Sequence, residues 1–301
     1  MMGTELSEID NDLVSASWRV RMVRAQRTDW TPTPEQIEIG LNDLDSDVRA
    51  EWANRQDWTS TREQVERGLN DSSWDVRHAW VKRTDWTPNR EQVEMGLADD
   101  HWRVRQMWAM RADWTPNPEQ VENGLTDADK NVRVSWVQRG DWTPTHKQVE
   151  MGLKSSDVDI RTAWASRTDF KPTFEQVERG LGDTERLVRL AWATRTDWTP
   201  TLEQVEIGLK DENWVIRSSW ARRMDFTPTP EQIERGLNDV DSDVQLAWAR
   251  RMDFTPTPEQ IERGLNDSSG DVRNIWMERL RMEQERLMKM DSEHDLLGVS
   301  L

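Results

Sequence analysis

Residues 29–56 read DWTPTPEQIEIGLNDLDSDVRAEWANRQ, and this 28-residue phrase returns without a gap. Its Asp-aromatic opening recurs at Asp29, Asp57, Asp85, Asp113, Asp141, Asp169, Asp197, Asp225 and Asp253. Nine copies at one fixed period are the signature of a solenoid. A single short unit cannot bury its apolar face alone, so neighbouring units must stack to make the core.

Each phrase encodes two short helices. Thr33 is a cap, Pro34 suits the first helical position, and Gln36 three residues on completes a capping box. Ile37 and Leu41 then share a face, with Gly40 beside them permitting close helix approach. The first helix is expected over roughly Pro34–Asn42. Asp45 or Ser46 caps the second, expected from Asp47 to Arg55, with Val48, Trp52 and Arg55 on one stripe. The turn Gln56-Asp57-Trp58-Thr59 leads into the next copy.

The expected fold is all-α: a right-handed α-solenoid of nine 28-residue two-helix repeats with degenerate end caps. Residues 1–28 are expected to form an N-terminal capping repeat, with Leu13 and Val20-Arg21 in register with Leu41 and Val48-Arg49. There Arg24 stands in the place of Trp52, as a solvent-facing end requires. Residues 29–280 hold the tandem repeats. Residues 281–301 are expected to be a capping helix, Arg281–Asp291, and a frayed tail, 292–301.

The D-x-D-V-R of Asp45–Arg49 and the T-P-x-x-E-Q of Thr31–Gln36, followed by Leu41, resemble known α-helical solenoids of HEAT-like type. The closest local likeness is to the leucine-rich-repeat variant family, over about Val20 to Leu280. This resemblance implies an architecture and brings no catalytic residues with it.

The chain carries 57 acidic and 40 basic residues, a formal charge of −17. That balance repels bare nucleic acid and fits a partner protein with a basic surface. Cysteine is absent, which removes disulfides, thiolate catalysis and Cys-based zinc sites. No apolar run is long enough for a transmembrane helix, and Met1–Leu13 lacks the layout of a signal peptide, so a cytoplasmic protein is expected. No phosphate loop, nucleophile elbow or zinc-protease motif occurs. His78, His101, His146 and His294 show no metal-ligand spacing. Asp43–Asp47 opens like a calcium loop, but Val48 stands where the loop needs glycine and Asn54 where it needs glutamate. These are helix caps. No cofactor or metal is expected.

The internal copies separate constrained positions from free ones. The opening Asp, Gln36, Glu38, Gly40, Leu41, Trp52 and Arg55 are the same in all nine. They read as a ladder of caps and ion pairs, not as nine active sites. Arg55 falls between Val48 and Trp52 by helical angle, and a buried guanidinium needs a partner, either Glu38 or Asp57. Its stem can pack on Trp52.

Ser46, Asp47, Ala50 and Asn54 vary instead, becoming Trp74, Asp75, His78 and Lys82, then Trp102, Arg103, Gln106 and Met110. By the 100° helical step these lie opposite Val48 and Trp52, and a varied face is how repeat proteins build a binding surface. Charges on this face balance. The net acidity belongs to framework positions such as Glu35, Glu38 and Asp43. Trp18, Trp74, Trp102 and Trp214 share one varied position, either as interface anchors or packed sideways on a neighbouring repeat. The candidate partner-binding set is Trp18, Trp74, His78, Lys82, His101, Trp102, Arg103, Gln106 and Trp214.

The expected function is a non-enzymatic scaffold that binds a partner protein through the varied face of the second helices. One alternative is an acidic nucleic-acid mimic that inhibits a basic nuclease or another nucleic-acid-binding protein. Another is direct repeat-based reading of nucleic acid. A neutral face disfavours the latter, because phosphate contacts need Lys and Arg.

Overall fold

The structure, a computed structural model, describes residues 11–296, and these contain helices and turns but no strand. The chain is an α-solenoid, a helical repeat scaffold. Its helices gather into two compact units, Met1–Thr143 and Pro144–Leu301. Within each unit the second helices pack on one another from repeat to repeat, while each first helix lies against the second helix of its own repeat. No described helix is long and apolar enough to cross a membrane.

Local chemistry sets the boundaries. The capping box forms as expected: Gln36 N donates to Thr33 Oγ1 at 3.3 Å and Thr33 N donates to Gln36 Oε1 at 2.9 Å. The first helix is Pro34–Leu41, one residue shorter than expected. Asn42 caps it, its Nδ2 donating to Glu38 O at 2.8 Å. The second helix is Ser46–Asn54, capped by Asp45, whose Oδ1 accepts from the N–H groups of Asp47 and Val48. Asp43 instead accepts from Arg21 Nε and Nη2, at 2.6 and 2.8 Å. Asp43 and Asp45 are thus engaged in an ion pair and a cap, and Asp47 stays exposed.

The core repeats one motif. Trp52 is fully buried and its indole occupies the space beside Gly40, where an added Cβ would lie 2.2 Å from the ring. Trp30 meets Trp52 edge-on, ring centroids 6.1 Å apart. The same glycine–tryptophan contact recurs from Gly68 and Trp80 to Gly264 and Trp276.

Arg55 departs from its expected place. The helix stops at Asn54, and Arg55 is extended, with φ −63° and ψ 139°, so it does not extend the Val48–Trp52 stripe. It is nonetheless buried, because its side chain reaches back into the preceding repeat. Nη1 donates to Ala25 O and Arg27 O at 2.7 and 2.6 Å, and Nε donates to Asp57 Oδ1 at 3.0 Å. Asp57 is therefore its acidic partner, while Glu38 serves the next first helix. Arg83 repeats the arrangement with Ala53 O, Arg55 O, Trp58 O and Asp85, its guanidinium 4.0 Å from the Trp58 ring centroid. Burying a guanidinium is tolerable only when its donors are satisfied, and five carbonyl or carboxylate contacts do this.

A second arginine ties each repeat forward. Arg49 donates from Nε and Nη2 to both oxygens of Asp71, 22 residues ahead, at 2.8 Å each, and from Nη1 to Asp43 O at 2.8 Å. Arg77–Asp99 and Arg105–Asp127 continue this clamp in the first unit, and Arg161–Asp183, Arg189–Asp211 and Arg217–Asp239 carry it in the second. The bidentate fork fits a carboxylate in a way lysine cannot.

The ends differ from expectation. Arg24 does not face solvent: it is buried, lies 5.8 Å from the Trp30 ring centroid and pairs with Asp12 at 3.0 Å. At the other end no separate capping helix occurs among the described residues. The second helix of the last repeat runs unbroken from Gly270 to Leu296. In the first six repeats the helix ends at an extended arginine bound to the Asp two residues on, and Arg223 and Arg251 make the same Asp contact in the next two. Arg281 holds that place after Arg279, so nothing terminates the helix. Residues 1–10, with the signal-peptide reading, and the last part of the expected tail, 297–301, lie outside the described residues.

Candidate functional site

Helix starts place the varied tryptophans. Trp74 and Trp102 are the first residues of the second helices Trp74–Lys82 and Trp102–Met110, and His101 caps the latter. Asp99 Oδ1 accepts from His101 N at 2.9 Å, and Asp99 is in turn clamped by Arg77, so the cap is held by the framework. The outcome is a stack across two repeats. His101 lies on the Trp74 ring at 3.9 Å with a 12° interplanar angle, and Trp102 follows at 6.1 Å from His101. The Arg103 guanidinium lies 5.2 Å from both the Trp74 and the Trp102 centroid. His78 meets the edge of Trp74 at 6.4 Å.

Both tryptophans are half-buried, and Trp74 also packs on the core cluster. Sideways packing on the neighbouring repeat thus accounts for one face of Trp74. Burial holds the His78 imidazole below its ordinary pKa, with the Lys82 charge adding to the effect. Lys82 itself is exposed at the end of its helix. The cluster thus presents aromatic area with cationic groups at its edge, on a chain that is acidic overall.

The remaining candidates fall elsewhere. Trp18 opens the helix Trp18–Gln26, is 37% exposed, and has Arg19 at 5.4 Å from its ring; Ser46 occupies the repeat between it and Trp74. Trp214 opens the helix Trp214–Ala221 in the second unit and is 41% exposed. Gln106 is not on a free face: its Nε2 donates to Ser135 Oγ of the next repeat at 3.3 Å. Ser218 and Leu246, at the same repeat position, are buried. The varied face is therefore narrower than the helical wheel implies. The Ala50 position lines the contact between successive second helices, where each repeat must match its neighbour.

The first helices carry a feature absent from the expectations. Gln64 Nε2 donates to Glu38 Oε1 at 2.7 Å, and Arg67 Nη2 to Glu38 Oε2 at 2.9 Å, tying the first helices of adjacent repeats. Glu150 with Gln176 and Arg179, Glu206 with Gln232 and Arg235, and Glu234 with Gln260 and Arg263 do the same in the second unit. These contacts hold Glu150, Glu206 and Glu234 at pKa values of about 2. Hydrogen bonding from Lys154, Arg235 and Arg263 respectively is the leading cause. Glu66 and Glu94 break the pattern. Each is held within its own helix, by Arg62 at 2.8 Å and Arg90 at 2.7 Å. The invariant Gln and Glu were legible as framework; the exceptions were signalled by Arg62 and Arg90 standing at the Pro34 position.

No protein-family model and no curated protein matches the sequence. Nineteen solved chains match the fold. One is described as a leucine-rich repeat variant with a novel repetitive protein structural motif. It aligns at 24% identity and a TM-score of 0.54, over 80% of this chain and 88% of its own. The likeness supports the repeat architecture.

Proposed function

We propose that this solenoid is a non-enzymatic scaffold that binds a partner protein through the start of its second helices in repeats two and three. The carrying observation is the Trp74–His101–Trp102 stack with Arg103 beside both rings. Aromatic and arginine side chains on a rigid, half-desolvated platform are the composition of interface hot spots. The platform is rigid because its cap and helix starts are tied to the buried clamps. The framework carboxylates weigh against nucleic-acid mimicry, since Asp43, Asp71, Asp99 and Asp127 are already paired with arginine.

The test is capture of a partner from the native host, then affinity measurement on Trp102→Ala. A loss of about tenfold or more with unchanged melting supports the reading. Wild-type affinity in a Trp102→Ala, Arg103→Ala double variant sinks it.

A further inference from the structure

The first helices of the first unit contain two guanidinium seats that lack the arginine of the next repeat, their glutamates meeting only an exposed arginine of their own helix. In the complete seats a glutamate accepts from the glutamine 26 residues ahead and from the arginine 29 residues ahead, as Glu38 does from Gln64 and Arg67. For Glu66 and Glu94 the glutamines are present as Gln92 and Gln120, but the arginine positions hold Met95 and Asn123. The Nε2 groups of Gln92 and Gln120 have no protein partner among the described residues. Their Oε1 atoms remain bound in the capping boxes of Asn89 and Asn117, at 2.9 Å each, so both amides are oriented.

Each seat opens into a cavity. One of about 310 Å³ is lined by Glu94, Gln120 and Asn123, with Trp136 and the Arg105–Asp127 clamp around it. Another of about 230 Å³ is lined by Glu66, Gln92 and Met95. Leu97, which lines the first, is half-buried, whereas Leu41, Leu69 and Leu125 at the same repeat position are buried. The resident counter-ions, Arg62 and Arg90, are more than four-fifths exposed, at 84% and 83%. Such exposed i, i+4 pairs are weak and easily exchanged.

We infer that these two seats bind a basic segment of a partner protein, with one arginine side chain of that segment at Glu66–Gln92 and a second at Glu94–Gln120. The chemistry is the one the chain uses on itself, a guanidinium and an amide sharing one carboxylate. The seats lie one first-helix spacing apart, roughly 10 Å. An extended, polyproline-like segment presents every third side chain on one face, about 9 Å apart, and so reaches both. The charge of −17 favours a basic segment at long range. This site is separate from the tryptophan platform and does not depend on it.

The test uses the full chain, ¹⁵N-labelled, and the peptide acetyl-Gly-Arg-Ser-Ser-Arg-Gly-amide at about 0.15 M salt. The Gln92 and Gln120 side-chain amide signals should shift with this peptide and not with its citrulline counterpart. Glu66→Gln with Glu94→Gln should weaken binding by about tenfold or more. Met95→Arg with Asn123→Arg fills both seats from within. It should weaken binding as much while helicity and melting hold, because other repeats carry arginine there. Glu35→Gln with Glu63→Gln, exposed carboxylates outside the seats, should leave affinity within about twofold, and so should Trp102→Ala. The inference is overturned if the peptide shifts neither amide at several millimolar, if the filled-seat variant binds as wild type, or if the Glu35 and Glu63 pair matters equally.

Discussion

A β-carbon on Gly124 would lie 2.2 Å from Cε2 of Trp136. Alanine is the better helix former by about 0.5–1 kcal/mol, so propensity alone favours Gly124→Ala. The contact decides otherwise. Neither the first-helix backbone nor a fully buried indole can yield that much space, and the substitution should cost about 1–3 kcal/mol by overpacking. Trp136→Ala should cost about 3–5 kcal/mol by truncation. Urea unfolding of both variants checks this, and a stabilised Gly124→Ala would contradict the packing.

Arg83 supplies the clearest test of the backward clamp. Arg83→Met keeps some packing against Trp58 and Trp80 but leaves three buried carbonyls without their donor and Asp85 without its counter-ion, only the Ser60 N–H remaining to it. The Met variant should fall below wild type by about 3–5 kcal/mol, and Arg83→Ala lower still. Three equal unfolding midpoints would mean that the clamp contributes nothing.

Acid should loosen the array. Glu150, Glu206 and Glu234 are held at about 2, below the ordinary glutamate value, and Asp85 is also held at about 2. At Asp85 burial pushes the value up, and hydrogen bonds from Arg83 and Ser60 outweigh it. A depressed folded-state pKa contributes stability that is present above the unfolded value and lost as pH falls through the folded one. The urea midpoint should therefore be flat from neutral pH to about 5 and fall steadily from about 4.5 towards 2. Glu206→Gln should make that fall shallower. A midpoint at about pH 3 equal to that at pH 7 would contradict the ladder.

Trp74 and Trp102 hold the same repeat position but different surroundings, and they should respond differently. Trp74 is stacked by His101 and rests on the core. Trp74→Ala should lower stability by about 2 kcal/mol, and Trp102→Ala by less than about 1. Thermal melts of the two single variants separate them. Equal losses would place both rings in the structural framework.

Much of this protein is determined by residues close together in sequence. The period of 28 is read directly from the repeated phrase, and within each copy the capping box of Thr33 with Gln36 and the buried Trp52 follow from spacings of three and four, with the Asp45 cap present in some copies only. Short-range hydrogen bonds and helical periodicity need no knowledge of neighbours. The likeness of the Asp-x-Asp-Val-Arg phrase to a solenoid family pointed the same way. Tertiary structure alone decided what each arginine does. Arg55 leaves the helix and reaches 28 and 30 residues back, Arg49 reaches 22 residues forward, and Glu38 meets residues 26 and 29 ahead. It also decided that Gln106 belongs to a repeat interface, and that Arg62 and Arg90 hold Glu66 and Glu94 away from Gln92 and Gln120. A helical wheel places a side chain by its own helix axis. Which charge a flexible guanidinium meets depends on how the next repeat is stacked.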